Sequence, residues 1–128
     1  MKLNVMFIIA AIYGLVVGLP SIVAPEAMMS MGGLQFPSNM LMPLRFLGVA
    51  ELGLGLIAWF VRNAEASKTR DGVVLGFTLY FALHALTSLY GQFTDTSMSM
   101  HWVMATLQGL IAIGFFMAGR SDMTKGTT

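Results

Sequence analysis

The sequence predicts an all-α integral membrane protein: one domain over residues 1–128, a four-helix bundle with both termini cytoplasmic. Three observations carry this. Four long apolar stretches, Leu3–Leu19, Leu41–Val61, Val73–Tyr90 and Trp102–Ala118, each hold enough residues to cross the hydrocarbon core as a helix, at roughly 17–25 residues per crossing. The chain is 56% hydrophobic and 10% charged, where a soluble domain carries about 25% charged residues. The cations are also unevenly shared among the gaps. Lys2 precedes the first stretch, Arg62, Lys68 and Arg70 fill the second gap, and Arg120 and Lys125 follow the fourth stretch. The gaps Pro20–Met40 and Gly91–Met100 hold no Lys or Arg. The positive-inside rule then puts the termini and the middle loop in the cytoplasm, with Arg45 the one exception. The expected location is the inner membrane, with several crossings.

The first stretch follows Met1-Lys2, a start that also suits a signal peptide. It is read here as a transmembrane helix or an uncleaved signal anchor. The gap after it, Ser21–Pro37, is apolar for a loop and is expected on the outer surface, with one short interfacial helix after Pro25. On the second helix Gly48, Glu51, Gly55 and Ala58 share a face, and the small residues there let a neighbouring backbone approach closely. The middle loop Arg62–Asp71 reads as a solvated, charged connection. On the third helix Gly76, Tyr80, His84, Thr87, Ser88 and Gly91 recur at three or four residues, which puts them along one face. His101, Ala105, Gln108 and Ala112 do the same on the fourth. The predicted bundle turns these stripes inward and Leu, Ile, Val and Phe to lipid.

Function must then sit in the few polar groups at membrane depth. At 1.5 Å per residue, Arg45 falls roughly 5 Å below the outer face, His84 about 10 Å, Gln108 about 12 Å and Glu51 about 15 Å. Tyr13 on the first helix falls at a similar level, and Tyr80 shares the His84 stripe. These six are the candidate ligand-binding residues. A carboxylate at the bilayer centre costs ~2.5 kcal/mol or more unless paired or neutralised. Glu51 therefore reads either as a ligand or proton site, or as part of a buried network with His84 or Gln108 that fixes helix packing. Arg45 lies one turn from the interface, where a long side chain reaches headgroups or packs, or else captures an anionic ligand. It lies six residues from Glu51, a spacing that does not pair on a helix.

Eight of the twelve methionines fall on or near the outer face. Met98, Met100 and His101 form a thioether and imidazole set suited to Cu(I). Methionine as flexible apolar filler accounts for the same clustering. The absence of cysteine excludes disulfides and thiolate chemistry. His84 and His101 have no zinc-type spacing. Gly53-Leu54-Gly55 has no strand before it and is no nucleotide fingerprint. A net charge of +1 gives no reason to expect nucleic acid.

Over Leu44–Phe60 the chain resembles small bacterial four-helix membrane proteins of unassigned function. The shared features are Arg45-Phe46-Leu47-Gly48, the Leu-Gly-Leu-Gly run ending at Gly55, a short basic loop, and Trp102 near the start of the fourth helix. More loosely, Gly48-Val49-Ala50-Glu51-Leu52 resembles the G-x-x-E-L of DoxX-like proteins. The resemblance implies a four-helix bundle and brings no activity to Arg45 or Glu51.

The first functional expectation is a non-enzymatic accessory or assembly subunit that packs against itself or a larger membrane complex, motivated by the Gly-rich second helix. The alternative is an outward-facing binder or carrier of a lipophilic or weakly acidic small molecule. Cu(I) handling is a third. No cofactor is expected, a bound lipid or copper being the alternatives to none; the expected companions are the lipid bilayer and either further copies of the chain or a larger membrane complex.

Overall fold

A computed structural model describes residues 2–31, 33, 37–94 and 100–123, and among them the chain is helical with no strand. In order come α1 (Leu3–Val23), α2 (Pro25–Met31), a 3-10 turn (Ser38–Met40), α3 (Leu41–Val61), α4 (Lys68–Thr94) and α5 (Met100–Met123). Four of them, α1, α3, α4 and α5, are long and apolar enough to cross a membrane.

The α3 boundaries match those expected, and the other three long helices outrun theirs. α1 continues through Pro20 to Val23. Proline removes one helical hydrogen bond, a loss tolerated where neighbouring groups compensate. Ser21 Oγ donates to Val17 O at 2.7 Å, and the Ala24 N–H continues the ladder to Pro20 O. α4 begins at Lys68, inside the segment read as loop, because Ser67 caps it. The Arg70 N–H donates to Ser67 Oγ at 3.2 Å, and Asp71 stands in the first turn, where the helix dipole favours an anion. The short helix after Pro25 is present as α2, with proline at its first position.

The chain divides into two compact units: Phe7–Val61, and Met1–Met6 with Arg62–Thr128. In the first, α1 and α3 touch backbone to backbone through glycines. A Cβ on Gly14 would lie 2.6 Å from the Glu51 carbonyl oxygen and 2.7 Å from Gly55 Cα. One on Gly18 would lie 2.7 Å from Leu52 N and 2.8 Å from Gly48 O. Such separations are open only to glycine. They let long stretches of main chain gain van der Waals contact, the main attraction between helices in lipid. Beside this seam runs an apolar groove of about 310 Å³, walled by Ala11 and Leu15 of α1 and by Leu52, Leu56 and Trp59 of α3.

In the second unit α4 and α5 pack around three rings. Phe77 and Phe115 stack with centroids 5.3 Å apart, and Phe81 joins at 6.2 Å from Phe115 and 6.4 Å from Phe77. This corrects the expectation that Phe turns to lipid. Phe46, Phe60, Phe93 and Phe116 are exposed, whereas Phe7, Phe77, Phe81 and Phe115 are buried. The α4 stripe is also shifted from the one expected. Its buried residues are Val74, Phe77, Phe81, Ala85 and Gln92, while Gly76 and Thr87 are exposed. The α3 and α5 stripes lie where the spacing put them, with Gly48, Glu51, Gly55 and Ala58 buried on α3 and Ala105, Gln108 and Ala112 on α5.

Candidate functional site

Three polar side chains of α4 and α5, those of Ser88, Gln108 and His84, meet in one hydrogen-bonded chain. Ser88 Oγ donates to Gln108 Oε1 at 3.2 Å, and Gln108 Nε2 lies 3.4 Å from His84 Nδ1. An amide nitrogen only donates, so this contact places His84 Nδ1 as the acceptor and its ring proton on Nε2. The Tyr80 ring lies over the His84 ring, with centroids 4.5 Å apart and planes 41° apart. Tyr80 also meets Phe81 edge to face at 5.2 Å, which joins the polar run to the aromatic core.

Local sequence explains the assembly. Tyr80, His84 and Ser88 stand four residues apart on α4, so they line up one turn above another. Gln108 faces them from α5, between the small residues Ala105 and Ala112, and is only 2% exposed. A Cβ on Gly109 beside it would stand 3.9 Å from Ala85 Cβ, in ordinary van der Waals contact. The cluster holds hydroxyl, amide, imidazole and phenol groups and no formal carboxylate, ammonium or guanidinium. Such a set can donate and accept hydrogen bonds and pass a proton along them. It is better matched to a neutral polar group than to a strong ion.

Of the six residues expected to bind a ligand, the structure brings Tyr80, His84 and Gln108 together in this unit. Tyr13, Arg45 and Glu51 belong to the other. Glu51 is 3% exposed, and its main chain lies against Gly14; Tyr13 is buried on α1. Arg45 is half-buried, and its Nε donates to Ile22 O at 3.3 Å. That carbonyl is in the last turn of α1, where a cation is favoured and carbonyls lack helical partners. Arg45 Nη1 also lies 3.7 Å from Met42 Sδ.

For the expected copper ligands, Met98 lies outside the described residues. Met100 is exposed in the first turn of α5, and the His101 ring rests against Gly91, where a Cβ would meet its Cε1 at 3.0 Å. Among the methionines expected on the outer face, Met28 Sδ stands 2.8 Å from Ser21 Oγ. No group of three His, Cys, Asp or Glu residues is placed to hold a metal among the described residues.

Two features escaped the sequence reading although their signals were present. Gly14-Leu15-Val16-Val17-Gly18 is a G-x-x-x-G pair inside an apolar run, the spacing that brings two membrane helices into backbone contact. Gln92 lies four residues past Ser88 and eleven past Phe81, which continues the buried face of α4; it is 8% exposed. Comparison with protein-family models, with curated proteins and with solved structures finds no match.

Proposed function

We propose that the protein is a multi-pass membrane protein that binds or carries a small lipophilic or weakly acidic molecule, taken up from the outer side. The observation that carries this is the Ser88–Gln108–His84 chain with the tilted Tyr80 ring against its end. The rings of Phe77, Phe81 and Phe115 already give α4 and α5 an apolar packing core. Hydrogen bonds between membrane helices add on average only about 0.6 kcal/mol each. Four polar side chains are more than such packing needs, and their mixed donors and acceptors suit the head of an amphipathic guest. The apolar groove on α1 and α3 gives a second surface, wholly aliphatic and aromatic, that suits the acyl chain of a bound lipid.

The test is direct. The protein is extracted from its native membrane in mild detergent, and the mass of the intact particle is compared between wild type and Gln108→Leu. Leucine keeps much of the side-chain volume and removes both hydrogen bonds. The expected result is an extra organic mass on wild type that Gln108→Leu loses while staying helical. Equal cargo on both, or none on either, counts against the proposal.

The accessory-subunit reading retains one supporting observation. Gly48 and Gly55, which motivated it, are occupied by α1 of the same chain, but Gly53 has nothing within 4 Å and shares α3 with exposed Phe46, Val49, Ile57 and Phe60. If α3 docks on a partner there, Gly53→Leu releases that partner while the chain stays folded. Unaltered association in Gly53→Leu removes the idea.

A further inference from the structure

The α1–α3 unit holds a single cation in an apolar setting. Arg45 is the only Lys or Arg between residues 7 and 61. It is half-buried, and its Nε and Nη1 reach Ile22 O and Met42 Sδ. The acids of this unit, Glu26 and Glu51, make no ion pair with it, so among the described residues the guanidinium has no counter-charge and its Nη2 donors are unmet. A partly dehydrated cation is costly until an anion meets it. The same flank of the unit carries the open apolar groove. On α3, Arg45 stands seven residues before Leu52, which puts the two within about 20° of each other around the helix. On α1, Ile22 likewise stands seven residues past Leu15. The Arg45–Ile22 contact therefore ends the flank that Ala11, Leu15, Leu52, Leu56 and Trp59 wall further down. The groove holds about 310 Å³ and is open to lipid, since Leu15, Leu56 and Trp59 are each about half exposed. From Arg45 to Trp59 is about 21 Å along the helix, close to the roughly 20–22 Å of one leaflet with its headgroups.

We propose that this flank binds one anionic phospholipid of the leaflet on the Arg45 side, with its phosphate on the guanidinium and one acyl chain laid in the groove. This deepens the lipid surface named above and uses none of the α4–α5 residues, so it stands or fails apart from the Gln108 test. The planar fork of an arginine matches two oxygens of a phosphodiester. A phosphodiester also stays ionised beside hydrocarbon, whereas burial there favours the neutral form of a carboxylic acid, which has no charge to pair with a cation. A zwitterionic headgroup carries its own ammonium, which competes for the same phosphate. A glycerol headgroup brings no such competitor.

The experiment places the full chain in nanodiscs of unlabelled phosphatidylcholine, with Trp102→Phe so that Trp59, in the groove wall, is the only indole. Three probes brominated on the acyl chain, which quench an indole on contact, are added at low mole fraction: phosphatidylglycerol, phosphatidylcholine with the same chains, and a free fatty acid. The phosphatidylglycerol probe is expected to quench Trp59 at a roughly fivefold lower mole fraction than the phosphatidylcholine probe, the worth of one favourable ion pair. Arg45→Gln is expected to bring that ratio close to one. Ala11→Phe, which fills the groove and keeps the cation, is expected to remove the extra quenching. Equal quenching by the two phospholipids in the parent protein, or a ratio that survives Arg45→Gln, overturns the headgroup assignment. An unchanged ratio in Ala11→Phe overturns the groove. Stronger quenching by the fatty acid than by phosphatidylglycerol assigns the site to a free carboxylate and overturns the phospholipid. Quenching by no probe overturns the site, and a dimer in the same discs then identifies a second copy as what covers this flank. If Arg45→Gln does not insert, the parent ratio and Ala11→Phe still decide.

Discussion

Gln108 joins two α4 residues through the two ends of one amide, and Gln92 offers an acceptor that nothing meets among the described residues. Their replacement by leucine should therefore act in opposite directions. Gln108→Leu leaves Ser88 and His84 without that partner and should lower the melting temperature. Gln92→Leu removes an unsatisfied oxygen and should stabilise the empty protein by about 1 kcal/mol, seen as a raised melting temperature in detergent. An unchanged or lowered value for Gln92→Leu would show that its oxygen is already satisfied. Phe115 is fully buried between Phe77 and Phe81, so Phe115→Ala should open a cavity and cost about 3 kcal/mol by the same measurement. A loss under 1 kcal/mol would contradict the packing described. At this scale part of the site was legible. Tyr80, His84 and Gln108 stand out because polar groups are rare in apolar stretches. Gln92 did not, because a polar residue beside the end of a stretch reads as solvated unless its register with Phe81 and Ser88 is followed past Tyr90.

Glycines divide the elements into two classes that sequence composition alone does not separate. Gly14, Gly18, Gly48 and Gly55 lie in the α1–α3 seam, while Gly53 and Gly76 have nothing within 4 Å. Alanine at Gly14 would put its Cβ 2.6 Å from the Glu51 carbonyl oxygen. The backbones must separate, at a cost of roughly 1–3 kcal/mol. Alanine at Gly53 meets no atom and improves helix propensity by up to about 1 kcal/mol. Thermal melts of Gly14→Ala and Gly53→Ala should therefore shift in opposite directions. A common shift would show that the seam is not formed. The α3 stripe was legible because its small residues and its one acid fall at helical spacing. The α4 stripe was misplaced by following polar residues. Its buried face is set by Phe77, Phe81 and Ala85, and side chains large enough to fill the space between two helices decide which face turns inward. The helix boundaries at Pro20 and Ser67 differ for a local reason: α1 carries its hydrogen-bond ladder past the proline, and Ser67 caps α4 one residue before Lys68.

The whole chain combines four helices suited to membrane crossing with a cation pattern that predicts cytoplasmic termini. The chain contains no cysteine, so single cysteines report topology without background. A maleimide that cannot cross the membrane should label Ser38→Cys in intact cells, and Glu65→Cys only after permeabilisation. The reverse pattern would invert the protein and move the polar end of α4 and α5 to the cytoplasmic side. The helix number was legible from hydropathy, and the orientation was expected from charge. Neither bears on the proposed ligand, because hydrogen-bond partners across α4 and α5 depend on helix phase. The most direct test of the central claim is the intact-particle mass after gentle extraction from the native membrane, for wild type and Gln108→Leu side by side. The account predicts a small organic molecule on the wild-type chain that is lost from the variant. A bare chain in both, or a mass made up only of partner proteins at fixed stoichiometry, would contradict it.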